Sequence, residues 1–209
     1  MLEIEEIVTR LSASIDNTQP LLQFDSSFQL LIAVILSAQT TDDQVNSVTP
    51  VLFSSYPDAA NLADAPIADL ERIVHSTGFY RTKAKNIKGA ALDIVERYGG
   101  VVPDTMNELT SLPGVGRKSA NVVLGAIYHQ PAIIVDTHFK RVTKRLGLTE
   151  STNPERVERD LAAIVYPGLQ YEFSMLVNRH GRLTCEARKP RCNTCVLESI
   201  CPWTKSAIA

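Results

Sequence analysis

Residues 112–124 read LPGVGRKSANVVL. Just ahead of them, Thr105 and Glu108 stand at capping-box spacing, so a short helix opens at Asp104-Thr105 and stops at Leu112-Pro113. A second helix starts near Arg117, carries Ala120, Val123, Leu124 and Ile127, and cannot pass Pro131. The stretch is therefore helix, glycine-bearing hairpin, helix. Two phosphate-loop patterns fail on it. The dinucleotide fingerprint needs a preceding strand and a third glycine where Ser119 stands, and the P-loop needs lysine directly after its last glycine, where Arg117 stands. What remains is a hairpin whose Gly114 and Gly116 lack Cβ and let another backbone come close. The exposed amides and positive dipole end of the second helix would hold a phosphate without reading any base. A plain αα-hairpin turn has the same local pattern, so the rest of the chain has to decide.

Outward from the hairpin, helical periodicity dominates. Apolar residues keep i, i+3, i+4, i+7 spacing in Leu2, Ile4, Ile7, Val8, Leu11 and Ile15, in Leu70, Ile73 and Val74, in Ile87, Ala91, Ile94, Val95 and Tyr98, and in Val157, Leu161 and Ile164. Pro66 and Pro154 suit first-turn positions, the latter behind an Asn153 cap, and Gly99 suits a helix stop. FQLLIAVILSAQ (28–39) is nearly all apolar and too short for a membrane span, which predicts a central core helix. Pro50 lies inside a helical stretch, so a kink or break is expected there. The one strand-like run, Ile133 to Val135, is too short and solitary for a sheet. The fold class expected is all-α.

The 209 residues allow one large domain or two small ones, with a substantial core. The acidic start MLEIEEIVTRL is unlike a signal peptide, and no apolar run reaches about 20 residues, so the expected location is cytoplasmic or nucleoid-associated, with no membrane. A net charge of −2 gives no general support for a nucleic-acid partner. The charges are unevenly spread, however. Glu3, Glu5, Glu6 and Asp16 make the start acidic, Lys140, Arg141, Lys144 and Arg145 form one basic run, and Arg179, Arg182, Arg188, Lys189 and Arg191 form another. A polarised molecule with a basic face is expected.

All four cysteines fall near the C-terminus, as Cys185-x6-Cys192-x2-Cys195-x5-Cys201. Without an export signal, such clustering favours metal over disulfides, and four thiolates suit either tetrahedral zinc or a [4Fe–4S] cluster. Between the first two lies EARKPR, a loop that bound metal would hold at both ends, whose Arg188, Lys189 and Arg191 suit a phosphate backbone or simply a solvated surface.

Taken together, LPGVGRKSANVVL, VDTH at 135–138 and the C-x6-C-x2-C-x5-C pattern closely resemble the endonuclease III family of DNA repair glycosylases, in order as well as spacing. LLIAVILSAQTTD, STGFYRTKAKNI and HGRLTCEARKPRC resemble further segments of it, so the likeness covers almost the whole chain. The resemblance implies a [4Fe–4S] cluster rather than zinc, held by Cys185, Cys192, Cys195 and Cys201. It implies a helix-hairpin-helix DNA-binding element and two helical domains: a six-helix barrel over 20–130, and a cluster domain from 1–19 and 131–209, with damaged double-stranded DNA across the cleft between them. The protein is expected to be a monomer.

The resemblance also assigns roles. Lys118 matches the family's nucleophilic lysine. A glycosylase that also nicks the strand needs an amine to attack the sugar C1′ and form a Schiff base that acidifies C2′–H for β-elimination. A free lysine has a pKa of about 10.4, so few molecules are neutral at pH 7. The helix dipole, Arg117 and partial burial are all expected to favour the neutral amine. Asp136 matches the catalytic carboxylate, which would stabilise positive charge at C1′ and help move protons. It also suits an N-cap. His138 reads as structural. Gln39 matches the residue that fills the gap left by a flipped nucleotide. Phe79 stands where an aliphatic wedge is usual, a departure expected to alter opposite-base tolerance.

The activity implied is base excision of oxidised or ring-saturated pyrimidines with apurinic/apyrimidinic lyase cleavage. An adenine-removing mismatch glycosylase generally lacks the lysine and carries an extra C-terminal domain, whereas this sequence has Lys118 and ends soon after its cysteines. A non-catalytic DNA-binding or electron-carrying iron–sulfur module leaves the pairing of Lys118 with Asp136 unexplained.

Overall fold

The computed structural model describes residues 3–16 and 18–207, so Leu2 of the first periodic stretch lies outside the described residues. The helices in chain order are α1 (Ile4–Ser12), α2 (Ser27–Leu36), α3 (Asp42–Ser55), α4 (Ala59–Asp64), α5 (Ile67–Ile73) and α6 (Tyr80–Tyr98). They continue with α7 (Met106–Ser111), α8 (Arg117–Ala126), α9 (Thr137–Arg145), α10 (Pro154–Ile164), α11 (Gln170–Leu183) and α12 (Pro202–Ala207). No strand occurs among the described residues, and the protein is all-α.

The chain divides into two compact units. One comprises Pro20–Tyr128, and the other draws on the described residues within Met1–Gln19 and His129–Ala209. The first unit is built around α2. Its residues from Leu30 to Leu36 are all buried, as its unbroken apolar run predicts, and each fully buried Leu or Ile contributes about 1.5–3 kcal/mol. It packs against α3, α6 and α8, while α6 in turn covers α4 and α5. Gly99 ends α6 in the left-handed conformation (φ 62°), and the Thr105 hydroxyl caps α7 by accepting from the Glu108 amide at 3.3 Å. In this version of the capping box the Glu108 carboxylate accepts from the Thr105 hydroxyl at 2.6 Å.

Two expectations for this unit need correction. Pro50 does not break α3, which runs on to Ser55. Pro50 is exposed while its neighbours Thr49 and Leu52 are buried, so the missing rung lies on the solvent side, where it costs least. Pro66 stands at the N-cap of α5 with extended backbone rather than in its first turn.

In the second unit α11 packs between α9 and α1 over a core that includes Ile7, Leu11, Phe139, Val142, Phe173 and Leu176. Phe139 and Phe173 meet edge to face, 5.8 Å between ring centres. Pro154 opens α10 behind the Asn153 cap as expected, although Ile164 at its far end is exposed. The extended run at Ile133 and Ile134 is buried and pairs with no strand. Instead the Ile134 amide donates to the Ser174 hydroxyl of α11 at 3.1 Å.

Candidate functional site

The hairpin between α7 and α8 is fixed from beneath. Leu112 and Val115 are buried, and Pro113 lies so close to Gly89 of α6 that a Cβ there would come within 3.1 Å of it. Gly114 has φ 80°, and a Cβ on it would meet the Asn86 side chain at 2.8 Å and Ile35 at 3.0 Å. At this glycine the space that a missing Cβ leaves is filled by side chains of α6 and α2. Gly116 differs: its φ is −93°, and a Cβ would meet nothing within 4 Å. It is the N-cap of α8 and, as glycine, offers that helix no side-chain cap of its own. Lys118 sits in the first turn of α8 and is exposed, so the partial burial expected of it is absent.

Gln39 and Phe79 share an unusual feature. Both are exposed, and both lie in the left-handed region, with φ 54° and 48°, which a side-chain-bearing residue adopts at a cost of about 1–2 kcal/mol. Phe79 is 69% exposed at the head of α6. Behind it Lys83 is buried and its ammonium donates to the Thr77 carbonyl at 2.7 Å, which ties down the turn that carries Phe79. Burial pushes the Lys83 pKa down.

In the other unit Asp136 caps α9: its Oδ1 accepts from the Phe139 amide at 2.7 Å. Its Oδ2 accepts from the Asn178 amide nitrogen, and Asn178 Oδ1 in turn accepts from Arg182 Nε at 3.1 Å. The carboxylate is therefore held at both oxygens, by a neighbour 42 positions away that local sequence reading missed. His138, read as structural, packs within its own unit. Its Cβ and carbonyl press against Gly181, where a Cβ would come within 2.9 Å, and its Nδ1 lies 3.2 Å from the Arg141 guanidinium.

Cys185, Cys192, Cys195 and Cys201 are unbonded to one another and line one pocket with about 360 Å³ of atom-free space, counting its open mouth. Burial, followed by the neighbouring cysteines, pushes the Cys195 thiol up against a hydrogen bond from the Leu197 amide, and a metal would reverse that by demanding thiolate. Among the described residues no three His, Cys, Asp or Glu side chains converge as on a single ion. The basic loop differs in part from expectation: Arg188 and Lys189 are exposed, but Arg191 pairs with Glu186 at 3.1 Å. The run Lys140 to Arg145 is not one basic face either. Arg141 and Arg145 are half-buried and turned into the cysteine-bearing segment, whose carbonyls they bind.

Residues 32–167 match the family described as HhH-GPD superfamily base excision DNA repair protein. Endonuclease III of Synechocystis sp. is 51% identical over 187 residues, which cover 89% of this chain and 85% of that protein. Endonuclease III of Escherichia coli is 39% identical over 198 residues, 95% of this chain and 94% of that one. The solved structure of a trapped endonuclease III–DNA covalent intermediate is 37% identical to this chain and superimposes over the full length of both with a TM-score of 0.91. A family match over most of the chain, identities of 39–51% over nearly its full length and a common fold have one explanation: the chain belongs to the HhH-GPD superfamily of base excision DNA repair proteins and, within it, to the endonuclease III family.

Proposed function

We propose that this base excision repair enzyme removes oxidised or ring-saturated pyrimidines from double-stranded DNA and nicks the strand, with Lys118 as nucleophile and Asp136 as the carboxylate that serves it. The observation that carries the reading is the first turn of α8 with its backbone amides, where open space at Gly116 and an exposed Lys118 lie side by side. A phosphate accepting from those amides would bring the adjoining sugar to the amine. Neutral Lys118 Nζ then attacks C1′, the bond from C1′ to the base breaks, and the base leaves with a proton. The C1′–O4′ bond then opens as O4′ takes up a proton, the resulting iminium acidifies C2′–H, and loss of that proton expels the 3′ phosphate. Asp136, oriented by Phe139 and Asn178, supplies negative charge while C1′ is cationic and can carry the proton. Gln39 and Phe79, strained and exposed, are read as the residues that fill and wedge the opened duplex. Incubation with a panel of lesion-bearing and abasic duplexes tests the activity. Release of adenine from mismatches, with abasic strands left intact, would overturn it.

The four cysteines are assigned to a [4Fe–4S] cluster, with residues 20–130 as the barrel domain and residues 1–19 and 131–209 as the cluster domain. The donor set fits. Four cysteines line one pocket, and four thiolates are the ligand set that a [4Fe–4S] cluster takes. When bound, the cluster fastens the loop between Cys185 and Cys192. Purified protein is expected to be yellow-brown with iron and sulfide present, and Cys192→Ala to lower both folding yield and DNA affinity. Stoichiometric zinc in colourless protein would sink the assignment.

The two hairpin glycines should separate by role. Gly114→Ala meets Asn86 and Ile35 in a left-handed backbone and is expected to lower the melting temperature by several degrees. Gly116→Ala meets nothing and should leave stability within about 1 kcal/mol, yet weaken duplex binding at least tenfold if a phosphate backbone approaches there. Unchanged affinity in Gly116→Ala would remove the hairpin from the interface. For the basic loop, Arg188→Ala and Lys189→Ala should weaken all duplexes alike and each reduce the salt slope by about one, while Arg191→Ala, whose charge is shared with Glu186, should do less.

A further inference from the structure

Arg145 has surroundings unlike those of a DNA-facing arginine. From the last turn of α9 its guanidinium donates through one nitrogen to the Glu186 carbonyl at 2.8 Å and to Cys185 Sγ at 3.2 Å, and through the other to the Ala187 carbonyl at 2.9 Å. It lies over the ring of Trp203 at 5.0 Å, and its own backbone carbonyl accepts from Cys201 Sγ at 4.0 Å. One residue thus touches the segments that bear the first and last cysteines. Arg141, one turn earlier, reinforces it by donating to the Cys185 carbonyl at 3.0 Å and the Gly181 carbonyl at 2.7 Å. At Cys195 the neighbours are a backbone amide and an imidazole: the Leu197 amide donates to Sγ at 3.4 Å, and buried His180 places Nε2 3.6 Å from the same atom.

We propose that Arg145 is the counter-charge of the cysteine centre, a positioning residue whose fixed cation sits on the Cys185 sulfur, raises the reduction potential of the bound cluster and clamps the 185–187 segment against loss of iron. The inference rests on the iron–sulfur reading above. A cluster held by four thiolates is a net anion. Charge, hydrogen bonds to sulfur and exposure are the protein's means of setting its potential. Arginine suits the task because it stays charged and its planar fork can bind two carbonyls and a sulfur together. Among the described residues, no other charged side chain is seen to donate to one of the four sulfurs.

The test uses cluster-loaded protein and three measurements: the reduction potential by voltammetry, the rate of iron release to a chelator, and the fluorescence of Trp203, the only tryptophan in the chain. Arg145→Gln, which loses the charge, should shift the potential to more negative values and release iron at least tenfold faster, with altered Trp203 emission. Arg145→Lys, which keeps the charge without the fork, should stay near the wild-type potential while still releasing iron faster. If Arg145→Gln takes up no cluster while Arg145→Lys does, the requirement for charge is met in its strongest form. A loaded Arg145→Gln protein with wild-type potential and wild-type iron release overturns the inference and leaves the cluster reading intact. Wild-type protein without iron overturns the cluster reading itself.

Discussion

Lys118→Gln protein is expected to bind damaged duplex yet form no borohydride-stable cross-link with it, and to lose strand cleavage by at least about 1000-fold, the scale seen when the nucleophile of a catalytic unit is removed. The change is clean because Lys118 is exposed in the first turn of α8, where glutamine has similar helix propensity, so stability should move by no more than about 0.5 kcal/mol. Gly114 and Gly116 remain, and with them the proposed phosphate seat. Imine formation needs a primary amine, and glutamine has none. The chain holds one other amine that invites comparison, since burial favours the neutral form of Lys83. That group is enclosed and committed to the Thr77 carbonyl, so it cannot reach a sugar without unfolding the turn that carries Phe79. Trapping of wild-type protein, followed by equal trapping of Lys118→Gln, would transfer the role to another amine and undo the assignment.

What the sequence disclosed, and what it hid, divides along physical lines. Local rules were legible. The capping residues Thr105 and Asn153, the left-handed stop at Gly99 and the nearly all-apolar α2 each depend on residues within one or two turns. Long-range pairings were not. Asn178 reaches Asp136 across 42 positions, and nothing near either residue announces it. Arg141 and Arg145 were read as surface charge because a basic run says how much charge there is and not which way it points. Their four-residue spacing with buried Val142 between them was the available signal, since it puts both on one flank of α9 toward α11 and the cysteine segment. The left-handed backbone at Gln39 and Phe79 was hidden for another reason: that conformation is normally signalled by glycine or asparagine, and these positions hold neither. Strain without the usual residue marks places where something other than backbone comfort fixes the side chain, which is how both positions join the candidate site.

Asp136→Asn should slow base removal by two orders of magnitude or more while leaving part of the cleavage of preformed abasic sites. The two halves of that expectation come from the two oxygens of one carboxylate. Oδ1 caps α9, and asparagine caps as well as aspartate does, so the bond from the Phe139 amide survives and the helix stays anchored. Oδ2 faces the Asn178 amide nitrogen, and an asparagine at 136 that caps through its oxygen presents an NH2 group there instead. Asn178 must then turn its own oxygen inward and give up the bond from Arg182, or leave donors facing each other, at a cost of about 1–3 kcal/mol. That is visible in a thermal melt and too small to unfold a domain of this size. The larger loss is chemical. Departure of the base leaves C1′ cationic, and a fixed negative charge beside it acts most strongly in that transition state, so removing the charge is expected to cost about 2.7–4 kcal/mol, or 100- to 1000-fold. An abasic site has no base to expel, which is why its cleavage should suffer less. Asn178→Ala provides the control: it frees Oδ2 but keeps the charge, so it should lower the base-removal rate by no more than about tenfold and the melting temperature by a few degrees. Equal losses in base removal and abasic cleavage for Asp136→Asn would mean the carboxylate serves the fold or a later proton transfer, and its assignment to C1′ would fall.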